Sequence, residues 1–295
     1  MSFNVSALST IKQEYDANLA VPFLLDNVFL NPKNKLVKIQ PNVKGTYSVN
    51  VLTSTISVAT GHCGFSAGGS DALSQVDITV VDKNVAKEFC MKDLNDYWAS
   101  AYLSAGSYEN SLSVEQSFFQ ENARRIAKAV EDQAIADVFS YINTNSGSSN
   151  VVTTTAMTIA NASVVADSII DSMIANAPEL TQLENVYMFM STANFSSLRR
   201  NYAAANKFHT EPLNGIENSL RIDGTNVTAI GLGGLSTNQM LLTSSDNIYF
   251  GTDIVDEAST DFDIWYSKDD RIVKMYSAWK QGAAIVFPQF CVFAQ

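Results

Sequence analysis

TYSVNVLTSTISVATGHCGFSAGGSDALSQVDITVV, residues 46–81, can be read as either of two folds. Its centre holds Gly64-Phe65-Ser66-Ala67-Gly68, the G-x-S-x-G pattern of a serine-hydrolase nucleophile elbow. Beside the pattern stand His62, one of two histidines in the chain, and Cys63, one of three cysteines. An elbow is a tight turn from a buried strand directly into a helix. Upstream, TYSVNVLTSTISV (46–58) has the character of a strand. Downstream, only SDALS (70–74) separates the pattern from QVDITVV (75–81), whose Val76, Ile78 and Val80 alternate at strand period. That leaves no room for a helix. The residues favour a hairpin with a glycine-rich tip over a Ser66 hydrolase whose triad an unmarked Asp and His209 would complete. In the first arm Tyr47, Val49 and Val51 share one phase, and Ile56 and Val58 share the other. This slip predicts a bulge or twist. The linker of about sixteen residues is longer than most loops without secondary structure, and loops of that length are usually binding loops. The hairpin is therefore expected to project onto another molecule.

Bulk composition narrows the function classes. The chain has 295 residues, 46% of them hydrophobic and 17% charged, enough for a sizeable core. A formal net charge of −11 argues against a protein that grips nucleic acid through its phosphates, and against docking on anionic membranes. The N-terminus MSFNVSALSTIKQEYDANLA lacks the pattern of a secretory signal. The apolar run LAVPFLL (19–25) is broken by Pro22 and is too short to span a bilayer. Cys63, Cys90 and Cys291 are odd in number and lack metal spacing, so they read as reduced thiols. No cofactor motif is present: GLGG (231–234) lacks the third glycine of a dinucleotide site and reads as a turn. The acidic group Asp253, Asp256, Glu257, Asp261, Asp263, Asp269 and Asp270 fails the EF-hand spacing and reads as solvated surface.

Periodicity sets out the remaining elements. SVEQSFFQENARRIAKAVEDQAIADVFSYINT (113–144) carries Phe119, Ala123, Ile126, Ala127, Val130, Ala134, Val138 and Ile142 as one helical stripe. Ser113 and Gln116 match a capping box. Glu121, Arg124, Arg125, Lys128, Glu131 and Asp132 are expected on a solvated face. After the linker NTNSGSSN (143–150), helices are predicted over 162–178 and 191–201, the second capped by Ser191, and strands over 185–190, 225–232 and 239–243. Strands are also predicted over 261–267, 271–280, 283–287 and 289–294, with turns at Asp269-Asp270 and Gln281-Gly282. The fold class is α+β.

SDNIYFGTDIVDE (245–257) followed by RIVKMYSAWKQGAAIVFPQFCVFA (271–294) resembles the C-terminal signature of tailed-bacteriophage major capsid proteins. The order of elements is similar to the Hong Kong 97 capsid fold. The resemblance implies an N-terminal arm (1–42), an E-loop hairpin (43–82) and a P-domain (83–151) with its spine helix at 113–142. It further implies an A-domain (152–244), returning P-domain strands (245–281) and C-terminal A-domain strands (282–295). The implied function is a coat subunit that assembles through pentamers and hexamers into an icosahedral shell around double-stranded DNA. Assembly would take place in the host bacterial cytoplasm, with portal, scaffolding and decoration proteins as further partners. An encapsulin-like nanocompartment shell is the alternative with the same architecture. The hairpin tip, with His62, Cys63, Phe65 and Ser66, becomes an inter-subunit contact and not a catalytic site. The absence of lysine between Lys44 and Lys83 implies that this hairpin forms no lysine cross-link. The N-terminus shows no long, charged, helical extension like the scaffolding domain of some members. The resemblance leaves two readings of this, a separate scaffolding protein or a processed chain, of which the initial Met favours the former.

Overall fold

The computed structural model describes residues 28–57, 68–90, 114–145, 151–205, 218–253, 261–270 and 272–295. The candidate contact residues His62, Cys63, Phe65 and Ser66 lie outside the described residues, as do Ser113 and, from the acidic group, Asp256 and Glu257. Asp253 departs from the expected solvated surface: it is buried and accepts from the Lys280 N–H at 2.7 Å.

The architecture is organised around one six-stranded sheet and one long helix. In the sheet, β5 (Val151–Val152), β6 (Val186–Ser191), β7 (Ser219–Arg221), β8 (Val227–Leu232), β9 (Met240–Ser244) and β13 (Cys291–Ala294) run in the order β5-β13-β9-β6-β8-β7. Successive strand side chains point to opposite faces, and here both faces are covered. Tyr187, Phe189, Ile230, Leu232, Leu241 and Phe293 face the long helix α1 (Val114–Asn145). Val186, Met188, Met190, Val227, Ala229 and Leu242 face the opposite way, against α2 (Ala162–Asn176) and α3 (Thr192–Ala204). Burial on both sides explains why β6, β8 and β9 read as continuous apolar runs. Ser191 caps α3 as expected, its hydroxyl accepting from the Asn194 N–H at 3.2 Å. Gly231 departs from the expected turn. It lies inside β8, where a side chain would press on the Phe195 ring, and the turn itself is made by Gly233 and Gly234.

At about 1.5 Å per residue, the 32 residues of α1 span about 48 Å. The predicted stripe is its buried face: Ile126, Ala127, Val130, Ala134, Val138 and Ile142 enter the core with Ile135 and Phe139. The expected solvated face holds for Glu121, Arg124, Arg125 and Lys128 but fails for Glu131 and Asp132, which are half-buried.

The other face of α1 packs on a five-stranded sheet of β1 (Lys38–Gln40), β10 (Ile248–Thr252), β12 (Ile272–Ile285), β11 (Asp261–Ser267) and β4 (Val81–Cys90). Its backbone is β12, a single strand of 14 residues. The expected turn at Gln281-Gly282 does not occur, and the chain runs straight through it. Gln281 is fully buried. Its amide N–H donates to Asp137 on α1 at 3.2 Å, and its carbonyl accepts from the Trp279 indole N–H at 2.7 Å. The polarity that suggests a turn is spent on a buried link between helix and sheet.

Asn247 joins the two sheets. Its amide N–H donates to the Phe287 carbonyl at 2.8 Å and to the Thr243 hydroxyl at 3.1 Å, and its carbonyl accepts from the Phe287 N–H at 2.6 Å. The neighbouring Cys291 thiol is pushed up to about 12 by burial, so it is an inert structural thiol.

Candidate assembly surface

The hairpin forms its own two-stranded sheet, β2 (Thr46–Ile56) paired with β3 (Gly69–Thr79). Register is continuous from Thr46↔Thr79 to Ile56↔Gly69, so the predicted bulge is absent. The second arm starts earlier than its alternation suggests, because Gly69–Ser74 already belongs to the ladder. Each strand has 11 residues, which at about 3.3 Å per residue makes a ribbon about 36 Å long.

The phase slip is real, and it has another cause. One ribbon face carries Tyr47/Ile78, Val49/Val76 and Val51/Ser74; near the root these side chains meet the body, and Val51 and Ile78 are buried. The opposite face carries Ser48/Asp77, Asn50/Gln75, Leu52/Leu73 and Ser54/Asp71. Three of those pairs are cross-strand hydrogen bonds: Ser48 to Asp77 at 2.6 Å, Gln75 to Asn50 at 2.8 Å and Ser54 to Asp71 at 2.5 Å. The fourth is the apolar pair Leu52–Leu73, 61% and 82% exposed, followed by Ile56 at 86%. The apolar residues therefore change face midway along the ribbon. Near the root they serve the chain's own core. Farther out they face away from it.

Glycine sets the root. Gly282 pairs with Gly251 across β12 and β10, and a side chain at 282 would collide with the Thr79 carbonyl. The bare backbone lets the end of β3 lie directly on the sheet. Hydrogen bonds complete the junction: Val80 N–H to the Gly45 carbonyl at 2.9 Å and Val43 N–H to the Thr252 carbonyl at 3.3 Å. A cleft of about 330 Å³ opens beside it, lined in part by Thr79, Val81, Tyr141, Asn145 and Gly282. Burial pushes the Tyr141 phenol up, and the charge of Asp77 adds to the shift.

The described part of the ribbon lacks the helix that a nucleophile elbow requires: the residues that follow the G-x-S-x-G pattern, from Gly69 on, are strand. Among the described residues, no group of His, Cys, Asp and Glu is placed to hold a metal ion, and no helix is long and apolar enough to cross a membrane. Sequence reasoning located the projecting hairpin but missed Leu52, Leu73 and Gly282. The apolar pair could have been found by pairing the two arms residue by residue.

No family model and no curated protein matches the chain. Solved structures do. A virus-like particle from Pyrococcus furiosus matches at 10% identity over 94% of this chain and 97% of its own, with a TM-score of 0.53. The capsid of cyanophage P-SCSP1u matches at 11% identity over 88% and 85%, with a TM-score of 0.54. The SrpI encapsulin of Synechococcus elongatus PCC 7942 matches at 12% identity over 99% and 95%, with a TM-score of 0.55. Likeness at this identity fixes architecture: the chain has the α+β Hong Kong 97-like capsid fold.

Proposed function

We propose that the chain is the major capsid subunit of a tailed bacteriophage, assembling through pentamers and hexamers into a closed icosahedral shell around double-stranded DNA. One observation carries this reading. The distal ribbon exposes Leu52, Leu73 and Ile56, and among the described residues no core covers this face. A lone two-stranded ribbon is marginal in water, so its order calls for an outside surface. In a shell of identical subunits that surface is a neighbour. Hong Kong 97-like coats place their hairpin in the same way, and the acidic chain suits a container that does not grip its contents. Subunits related by closed symmetry build rings of five and six, and portal, scaffolding and decoration proteins complete the particle. The tip residues His62, Cys63, Phe65 and Ser66 extend the same contact.

The similarity to the SrpI encapsulin, which spans nearly the whole chain, favours a second reading: a bacterial nanocompartment shell. Electron microscopy of the purified protein, with analysis of its contents after nuclease treatment, separates the two. Closed shells, with protected DNA in particles from infected cells, support the phage coat. Closed shells enclosing a co-purified enzyme support the compartment. Monomers at high concentration contradict both.

A further inference from the structure

Glu131 sits among the charged residues of α1 but is not solvated as they are. Its Oε1 accepts a hydrogen bond from the backbone N–H of Phe29 at 2.6 Å, across 102 positions of sequence. Phe29 and Leu30 are buried, and the Phe29 ring meets Phe189 of β6 edge to face at 5.5 Å. The Asn34 amide donates to the Val28 carbonyl at 2.9 Å and folds the segment back on itself. Leu36 and Val37 are buried where the segment leads into β1. Residues 28–37 are therefore docked on the body, and the Phe29–Glu131 bond holds the end where residues 1–27 join.

The bond places a carboxylate where water is scarce. The charged groups that face it are both on α1: Asp132 opposes its ionisation and Lys128 favours it. Lys33 and Lys35 of the docked segment are exposed, and β6 presents the Phe189 ring. Among the described residues no cation is paired with Glu131.

We propose that Glu131 is a proton-operated clamp that sets how tightly the segment at Phe29 is held to the long helix. A neutral carboxyl still offers an oxygen to the Phe29 N–H, and the cost of a desolvated charge disappears. Burial raises the Glu131 carboxyl above the ordinary glutamate range, and the Phe29 N–H opposes that rise without cancelling it. The docked state therefore binds the proton more tightly than the undocked state. Docking is strongest below the ordinary glutamate pKa and weakens as pH rises through the raised, docked value.

Hydrogen exchange on the full-length, dissociated subunit tests this between about pH 4 and about pH 8, corrected for intrinsic exchange rates. Wild-type protection of amides 28–37 should fall with rising pH, about tenfold for each unit that separates the docked and undocked pKa values. Amides of β6 should not follow that fall. Glu131→Gln should keep protection at the acid level of the wild type across the whole range. A flat wild-type profile, a rise with pH, or a slope that survives in Glu131→Gln would each overturn the proposal. The wild-type profile alone decides it should the variant fail to fold.

Discussion

β6 and β2 show how the same kind of element is held in two ways. Every residue of β6, VYMFMS, is buried, because helices cover both faces of its sheet. In β2, TYSVNVLTSTI, only Val51 is buried. Both are strands by hydrogen bonding, but β6 derives its order from the chain's own core, whereas β2 buries little against the described residues. Strand pairing alone contributes little in water once the lost water hydrogen bonds are counted. The difference teaches that burial within the chain accounts for the order of the body, whereas the proposed function assigns the ribbon's contacts to a neighbouring subunit.

If the body is the folding unit, damage there should unfold the subunit. Phe189→Ala removes a fully buried ring that meets Phe29 and Tyr187. It should lower stability by about 4 kcal/mol, read by chemical denaturation of the subunit. Gly282→Val strikes the junction between the two regions. Its side chain would enter the space of the Thr79 backbone, at an expected cost of about 3 kcal/mol. Exchange protection should fall first at β3 and β4, before β6 and β9 loosen. Asn247→Ala strands the half-buried Phe287 N–H, while the Phe287 carbonyl keeps the Phe290 N–H, and should cost about 2 kcal/mol in the same denaturation assay. The smallest effect on stability should come from the ribbon. Leu52→Ser combined with Leu73→Ser should change subunit stability by only about 0.5 kcal/mol, as surface substitutions do. Closed shells should nevertheless be lost, as scored by electron microscopy. Wild-type shells from that double variant would break the comparison, and so would an unfolded subunit.

Much of the body was legible in the sequence, for a physical reason. Helical and strand periods record which residues face a core, so the stripe on α1 and the apolar runs of β6, β8 and β9 could be read directly. Signals of close approach between distant segments have no period. Gln281-Gly282 has the composition of a turn, yet Gly282 is there to admit Thr79, and Gln281 to reach Asp137. Glu131 matches a solvated face by spacing, yet Phe29, 102 positions away, takes its carboxylate. The slip from Tyr47, Val49 and Val51 to Ile56 suggested a bulge, because an alternating pattern is normally assumed to serve one core. Here it lies on two faces of one ribbon. The tip residues His62, Cys63, Phe65 and Ser66 were singled out for rare side chains and a motif, whereas the exposed apolar pair of the ribbon is Leu52 and Leu73, which no motif marks.

The central claim is that the distal ribbon is held by a neighbouring subunit. Amide exchange over residues 50–56 and 69–75, compared between dissociated subunits and assembled shells, tests it directly. The ribbon should exchange almost freely in the dissociated subunit and become strongly protected in the shell, while β6 stays equally protected in both states. Equal protection of the ribbon in subunit and shell would contradict the account, because the ribbon would then owe its order to its own chain.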